Sequence, residues 1–160
     1  MSAKKKRKRR RKQRAALYAG ARFPVLHKVF RALGDATRLR LLNLVNGREV
    51  CVCYLTEVLG ISQPKISRHL AYLRQEGFVA ARREGKWMHY RMQLPQEYEA
   101  AQILRMIMEK VAEEPRMRYD LAHLEAACCA PEKYRLPDRA PLPAELLRPE
   151  DAPVFPRGSI

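Results

Sequence analysis

Apolar residues recur at three- and four-residue intervals along much of the chain, which is the spacing of helices that bury one face. The first such helix is predicted at 24–33, where Val25, Val29 and Leu33 form one stripe. Gly34 is expected to end it, because glycine tolerates the left-handed conformation that a tight helix stop needs. We interpret this helix as structural.

A second structural helix is predicted directly after the first. Asp35 or Thr37 is expected to cap it, since either side chain can accept a hydrogen bond from a free backbone N–H. Leu39 and Leu42 then repeat at helical spacing, and Gly47 closes the segment.

The pattern next predicts two short helices joined by a tight turn. Leu55, Val58 and Leu59 fall on one face of the first, and Gly60 ends it. Pro64 suits the first turn of the second helix, where its missing N–H costs little. Two short helices joined by a glycine-containing turn indicate a helix-turn-helix.

The second of these helices carries a polar face of the kind that reads DNA. It is expected to begin at Ser62 or Gln63, and Ile66, Leu70 and Leu73 form its apolar stripe. The opposite face is cationic and can form hydrogen bonds, as a reader of the major groove requires. That face consists of Arg68, Ala71 and Gln75, flanked by Lys65, Ser67 and Tyr72.

A β-hairpin is predicted after the helix-turn-helix. Residues 78–83 form the first strand, Glu84 and Gly85 the turn, and 86–92 the returning strand. Basic side chains close to the turn are expected to meet phosphate or the minor groove of DNA. These are Arg82, Arg83 and Lys86.

A longer helix is predicted to begin at Pro95 and to run to about Glu114, just before Pro115. Its apolar stripe is wide, which indicates a partner surface in addition to its own domain. The stripe comprises Ala100, Leu104, Ile107 and Val111, widened by Ile103 and Met108. A short helix is then predicted at 117–127, and Cys128-Cys129 follows it.

The charge of the chain is concentrated at one end. Of the 160 residues, 32 are Lys or Arg and 17 are Asp or Glu, which gives a formal charge of +15. Ten of the basic residues lie within 4–14, so the remaining 22 basic and 17 acidic residues leave +5. We expect four regions: a disordered basic arm (1–20), a folded domain (21–114), a C-terminal segment (115–130) and a disordered proline-rich tail (131–160).

The composition also bears on location and on the four cysteines. No apolar run approaches the roughly 20 residues of a membrane helix, and no secretory signal follows the basic arm, so a cytoplasmic protein without a membrane partner is expected. Each of the two cysteine pairs, 51 with 53 and 128 with 129, is too close in sequence for an ordinary disulfide. Such thiols indicate a metal-binding or redox site.

The chain resembles the ArsR/SmtB family of winged-helix repressors, and specifically its arsenic-responsive branch, over roughly residues 25–94. The resemblance is carried by FRALGDATRLRLLNLV and by CVCYLTEVLGISQPKISRHLAYLRQEGFVAARREGKWMHYRM. It implies an α+β, mostly helical winged helix-turn-helix with five or six helices and a two-stranded wing. It also implies a homodimer in which the long helix packs with the first helix across a two-fold axis.

The resemblance further implies a transcriptional repressor bound to double-stranded operator DNA. The residues expected to contact DNA lie on two elements: the second helix of the helix-turn-helix, here called the reading helix, and the predicted β-hairpin, which is the wing. They are Ser62, Gln63, Lys65, Ser67 and Arg68, with Arg82, Arg83 and Lys86.

The arsenic-responsive branch carries Cys-x-Cys-x-x-Cys in the first helix of the helix-turn-helix. Cys51 and Cys53 match its first two positions, but Thr56 stands at the third, and a hydroxyl is a poor ligand for a soft ion. The pair Cys128 and Cys129 is similar to the vicinal cysteines of some arsenical-responsive members. A site shared by both segments, a site at the C-terminal pair and two separate two-sulfur sites are all left open.

The implied inducer is trivalent arsenic, trivalent antimony or a methylated trivalent arsenical, and no constitutive cofactor is expected. If a helix began before Cys51, the sulfurs of Cys51 and Cys53 would point 200° apart. Two sulfurs on one atom with bonds of about 2.3 Å lie within about 4.6 Å of each other. We therefore hypothesise that ligand binding unwinds or re-aims the start of this helix and moves the reading helix off its groove.

The same residues also suit other functions. A thiol redox-sensing repressor is an alternative, because neighbouring cysteines can oxidise reversibly. A nonspecific nucleic-acid-binding protein that acts through its basic arm is another. Zinc sensing is disfavoured because the long helix lacks His and Asp, although Asp120 and His123 lie near the second cysteine pair. No enzyme is expected, since no catalytic motif or cofactor loop is present.

Overall fold

The structure is a computed structural model that describes residues 23–143. The predictions for the basic arm (1–20) and for 144–160, the greater part of the tail, lie outside the described residues.

The described chain is α+β and mostly helical, as predicted. Within it, six helices accompany one three-stranded antiparallel sheet with the strand order β1-β3-β2. The helices are α1 (Phe23–Leu33), α2 (Ala36–Leu44), α3 (Val52–Leu59), α4 (Gln63–Gln75), α5 (Tyr98–Ala112) and α6 (Pro115–Cys129). The strands are β1 (Glu49–Cys51), β2 (Val79–Glu84) and β3 (Trp87–Met92), and a 3₁₀ turn follows at Pro131–Lys133.

Several predicted helix ends and turns are confirmed. The Asp35 carboxylate caps α2 by accepting a hydrogen bond from the backbone N–H of Arg38 at 2.9 Å. Gly60 ends α3 in the left-handed region, with φ of 63°. Pro64 lies in the first turn of α4, and Gly85 supplies the positive φ of the hairpin turn.

The predicted two-stranded wing is confirmed as the hairpin of β2 and β3, and β1 is a third strand that was not predicted. It pairs with β3, so that Val50 lies opposite Tyr90 and Cys51 lies opposite His89. At three residues, β1 is too short for the alternation of apolar and polar residues to reveal a strand. Its position matters because Cys51 ends the strand and α3 begins at the next residue.

Helix α5 confirms a wide apolar surface but divides it between two environments. Ala100, Leu104 and Met108 are buried in the core of the described chain. The other flank leaves Ile107 half-buried and Met106 59% exposed. Helix α5 begins at Tyr98 and not at Pro95, where its start was predicted.

Helix α6 is longer than the short helix predicted at 117–127. A proline occupies its first turn, and Cys128 and Cys129 form its last turn instead of following the helix. One side of α6 packs against α2 and α3. The fully buried Asp120 carboxylate there accepts two hydrogen bonds from the Arg40 guanidinium, at 2.6 and 2.8 Å, which fixes the helix to α2.

The first part of the predicted disordered tail packs against the folded body. Tyr134, Leu136 and Ala140 are partly buried beside the core, and the Tyr134 ring lies 5.4 Å from the His123 ring of α6. The apolar side chains that lie between the prolines of this segment therefore pack on the surface of the folded domain. In the portion of the chain that the structure describes, no helix is long and apolar enough to cross a membrane.

Candidate DNA-binding surface and thiol site

Helix α4 turns one face to the core and one to solvent. Ile66, Leu70 and Leu73 are fully buried, as the apolar stripe predicted. On the opposite side Arg68 and Gln75 are exposed. The packing of three apolar side chains therefore holds a hydrogen-bonding surface in a fixed orientation.

The structure places the predicted DNA contacts on two neighbouring elements, α4 with its preceding turn and the hairpin of β2 and β3. Strand β2 packs against α4, so these two elements are adjacent. All but one of the predicted side chains are exposed, and Ser67 is half-buried. Ser62, Gln63, Lys65, Ser67 and Arg68 lie on the helix side, and Arg82, Arg83 and Lys86 on the hairpin.

Arg82 differs from the other hairpin cations because carboxylates already bind it. Its guanidinium donates to Glu49 of β1 at 2.6 Å and to Glu84 at 2.7 Å. The donated hydrogen bond lowers the pKa of the Glu84 carboxyl below its usual value. Arg83 donates to the carbonyl oxygen of Gly85 at 2.9 Å, and it lies nearer the hairpin turn.

His89 is a buried polar residue of the sheet. Only 4% of the residue is exposed. Its two ring nitrogens lie 3.9 Å from Glu49 and 3.9 Å from Glu84, the same carboxylates that bind Arg82. His89 therefore lies beside the ion pairs that Arg82 makes with these two carboxylates.

The structure brings Cys51 and Cys53 together. Cys51 is the buried last residue of β1 with extended backbone (φ −66°, ψ 142°), and Cys53 lies in the first turn of α3. The Cys53 thiol donates to the Cys51 sulfur over 2.8 Å. The predicted arrangement on opposite faces of a helix is wrong, because the helix begins after Cys51 and not before it.

This geometry removes the need for unwinding. The 2.8 Å between the two sulfurs is already inside the limit of about 4.6 Å for two sulfurs on one atom. The prediction that ligand binding unwinds the helix is therefore wrong.

The hydrogen bond between the two cysteines shifts their pKa values in opposite directions. The donated bond from Cys53 lowers the pKa of Cys51 to about 7, although burial acts in the opposite direction. The same bond, together with burial, raises the pKa of Cys53. The pair thus favours one thiolate and one proton near neutral pH, and a thiolate is the form that binds soft ions.

The third position of the family motif is occupied by a hydroxyl that is already engaged. Thr56 donates its side-chain hydrogen bond to the carbonyl oxygen of Val52 at 2.9 Å, one turn earlier in α3. It offers no sulfur, so the strand–helix junction presents two thiols.

The C-terminal cysteines differ from each other. Cys128 is half-buried against the core, and burial raises its pKa to about 12. Cys129 is exposed. Among residues 23–143 no three His, Cys, Asp or Glu side chains are grouped closely enough to hold a metal ion, so the two pairs do not form one preassembled site. Asp120, which lies near the second cysteine pair in the sequence, is bound by Arg40 instead.

Sequence reasoning missed Tyr54, which lies beside the thiols in α3. The residue is completely buried, and its phenol interacts electrostatically with Cys128, Cys53 and Cys51. Burial, reinforced by these sulfurs, raises its pKa to about 12. The adjacency to Cys53 was visible in the sequence, but no local pattern places α6 against this ring.

The lowered pKa of Cys51 can be tested in a variant in which Cys128 and Cys129 are both replaced by alanine, so that only Cys51 and Cys53 remain. Ultraviolet absorbance of thiolate should show one group ionising near pH 7, below the ordinary 9.0, because Cys53 donates to the anion. Below that pH the thiolate signal should be lost. Further substitution of Cys53→Ala removes the donor and should return the midpoint towards its ordinary value. An unchanged midpoint in that variant would contradict the assignment.

Comparison with known proteins places this fold and site in context. The family model described as "Bacterial regulatory protein, arsR family" matches residues 35–81. The arsenic resistance transcriptional regulator ArsR1 of Pseudomonas putida is 49% identical over 75 residues, which is 45% of this chain and 59% of that protein. The arsenical resistance operon repressor of Escherichia coli (strain K12) is 50% identical over 66 residues, 41% of this chain and 56% of that protein.

The aligned region thus spans little more than half the length of these two relatives. An HTH-type transcriptional regulator of Methanocaldococcus jannaschii, MJ1325, is 46% identical over 39% of this chain and 72% of its own length. Among solved structures, HlyU from Vibrio cholerae N16961 matches with a TM-score of 0.50 and 24% identity, over 57% of this chain and 96% of that chain. This last similarity supports the fold alone.

Proposed function

Because the chain belongs to the arsR family of bacterial regulatory proteins, we propose that it is a transcriptional repressor that leaves operator DNA when its thiols bind a trivalent arsenical or antimonial. The observation that carries this proposal is the pair of sulfurs 2.8 Å apart at the junction of β1 and α3. The relatives named as an arsenic resistance transcriptional regulator and as an arsenical resistance operon repressor support the same class of inducer.

DNA binding is proposed for the exposed face of α4 and for the hairpin. Side chains such as Gln63 and Arg68 can form hydrogen bonds to base edges, and the cations near the hairpin turn can neutralise phosphates. Arg83 and Lys86 are better placed for phosphate than Arg82, whose charge is countered by Glu49 and Glu84.

The thiol pair supports a ligand that takes two sulfurs. Methylarsenite has two hydroxyl groups that thiols can replace, and each replacement releases one water. Cys51 and Cys53 fit such a ligand without a third donor. Arsenite or antimonite bound through three sulfurs would also need Cys128, and therefore a shift of α6 towards the junction. We favour Cys51 and Cys53 as the principal ligands, with the C-terminal pair contributing a further thiol.

The position of the pair supports a direct effect on both DNA-facing elements. Cys51 ends β1, which pairs with β3 of the hairpin. Cys53 lies in α3, which packs against α4. A ligand that fixes the two sulfurs would act on the strand and the helix together, and it would change the angle between the hairpin and the reading helix.

We also propose that the protein acts as a homodimer. The outer flank of α5 exposes Met106, and Phe30 of α1 is 58% exposed. These apolar surfaces belong to the two helices that a dimer of this family would bring together. A two-fold dimer would set two reading helices about 34–36 Å apart, which matches successive major grooves.

The proposed function is tested by measuring whether arsenicals release the protein from its operator DNA. The wild-type protein should enrich a near-palindromic sequence from a random DNA pool, and fluorescence anisotropy should show release on addition of methylarsenite or arsenite. Release by hydrogen peroxide but by neither arsenical would favour the redox-sensing alternative. If deletion of residues 1–14 abolished all binding, the nonspecific nucleic-acid protein would be favoured, whereas a repressor should keep its sequence preference and bind more weakly.

A further inference from the structure

One edge of α4 is covered by the end of α1 and the start of α2. Residues 69, 72 and 76 are three and four positions apart, so they form one line along the helix. Each has a partner across this edge: His69 with Asp35 at 3.6 Å, the Tyr72 ring with the guanidinium groups of Arg31 and Arg38, and Glu76 with Lys28 at 3.8 Å. The connection between α1 and α2 is therefore fixed beside the helix that is proposed to read DNA.

Arg31 is the cation on this edge whose charge is not countered by a carboxylate. Lys28 lies 3.8 Å from the Glu76 carboxylate, and Arg38 lies 3.8 Å from that of Asp35. Arg31 is exposed, and within the part of the chain that the structure describes it forms no ion pair. Its guanidinium is therefore available to an anion from outside the protein.

Contacts to both its backbone and its side chain hold Arg31 in position. The Arg38 guanidinium donates to the carbonyl oxygen of Ala32 at 2.8 Å and to that of Arg31 at 2.6 Å, which ties the end of α1 to α2. The guanidinium carbon of Arg31 lies 5.9 Å from the centre of the Tyr72 ring, within the range of a cation–π contact. A residue of the reading helix thus sets where this cation lies.

The dimensions of DNA place the edge of a bound helix against a phosphate backbone. An α-helix with its side chains is about 10–12 Å across, and the major groove is about 12 Å wide, so the helix fills the groove. A segment that packs along the edge of such a helix lies at the rim of the groove, where the phosphates are. A cation on that segment attracts the backbone, and each phosphate that it neutralises releases a counterion.

We propose that Arg31 is a DNA-contacting residue outside the reading helix and the wing, which binds a phosphate at the rim of the groove that α4 enters, and that Tyr72 is its positioning residue. This inference rests on the proposed function, because α4 must lie in the major groove. It also gives a role to Tyr72, which flanks the polar face of α4 and is half-buried. A phosphate contact fixes the protein on the duplex and adds affinity, but it carries no sequence information.

The substitution Arg31→Gln removes the charge and keeps most of the length of the side chain. Fluorescence anisotropy would measure the affinity of the full-length protein for its selected operator and for a scrambled duplex, at a series of KCl concentrations. The slope of the logarithm of the association constant against the logarithm of the salt concentration should become shallower by about 0.9 for each protomer bound. The ratio of wild-type to variant affinity should therefore fall roughly three- to fourfold per protomer as KCl rises from about 50 to about 200 mM. The preference for operator over scrambled DNA should not change.

The matched control is Arg118→Gln. Arg118 is an exposed arginine of α6, the helix that packs against α2 and α3. This variant loses the same charge, so a general effect of net charge on DNA binding would appear in it as well. Its affinity and its salt slope should match those of the wild type.

The positioning role of Tyr72 is tested by Tyr72→Leu, which keeps an apolar side chain and removes the ring. Alone, this substitution should weaken DNA binding less than Arg31→Gln does. In the double variant Arg31→Gln/Tyr72→Leu the loss should equal that of Arg31→Gln, because Tyr72 acts through Arg31. Losses that add would overturn the positioning role of Tyr72.

The outcomes separate this inference from the proposed function. Wild-type protein that shows no preference for any DNA sequence would overturn both. Wild-type protein that selects an operator, with Arg31→Gln equal to it in affinity and in salt slope, would overturn only the contact at Arg31. An equal loss in Arg31→Gln and Arg118→Gln would also overturn that contact, because the effect would then follow net charge.

Discussion

The double variant Cys51→Ser/Cys53→Ser should remain on operator DNA at arsenical concentrations at least about a hundredfold above those that release the wild type. Serine has the same branching as cysteine, but its hydroxyl is a hard, protonated ligand for a soft ion. Changes outside the ligand set of metal sites already reduce affinity by about 10–100-fold, so the loss of both principal ligands should exceed that range. Anisotropy of labelled operator, titrated with methylarsenite and with arsenite, measures the effect.

Two further variants define what this result means. Cys129→Ser changes an exposed thiol at the end of α6 and should respond as wild type does. Cys128→Ser/Cys129→Ser should lose sensitivity to arsenite more than to methylarsenite, because only arsenite can take a third sulfur. Release of Cys51→Ser/Cys53→Ser at wild-type concentrations would show that the C-terminal pair is the sensor.

The helices and the hairpin could be predicted from the sequence because each is long enough to show its own period. Leu55, Val58 and Leu59 are buried as their spacing indicated. Gly60 has the left-handed φ that its place at the helix end required. Local periodicity and turn chemistry are sufficient for such elements.

The conformation of Cys51 could not be predicted in the same way. Strand β1 has three residues, and it exists because β3 offers an edge for pairing from a distant part of the sequence. If residues 51–59 formed one helix, the two sulfurs would lie on opposite faces of it. Because the strand ends at Cys51 and the helix begins at the next residue, the two sulfurs are in contact instead. A shift of one residue in the start of the helix therefore changes the chemistry of the site.

The candidate site was predicted as a set of residues but not as a geometry. Cys51 and Cys53, the basic hairpin and the polar face of the reading helix were visible as patterns. The Glu49 carboxylate that binds Arg82 was not visible in this way, because it lies on β1, 33 residues away in the sequence. The pairing of Arg40 with Asp120 spans 80 residues of sequence and follows no local rule.

That buried ion pair gives the largest expected effect on stability. Asp120→Asn should lower the free energy of unfolding by about 3–5 kcal/mol, because it leaves the largely buried Arg40 guanidinium without its counter-charge. Urea denaturation followed by circular dichroism measures the change. The control Asp138→Asn alters an exposed carboxylate and should change the free energy of unfolding by less than about 0.5 kcal/mol.

The double variant Arg40→Met/Asp120→Leu tests whether charge or packing is responsible. Replacing a buried ion pair by apolar residues of similar volume is often neutral or stabilising, by roughly 1–4 kcal/mol. The double variant should therefore recover most of the stability that Asp120→Asn loses, and it should keep α6 packed against α2 and α3. A double variant as unstable as Asp120→Asn would mean that α6 requires the hydrogen bonds themselves, and a loss below 1 kcal/mol for Asp120→Asn would mean that α6 is held mainly by its apolar contacts.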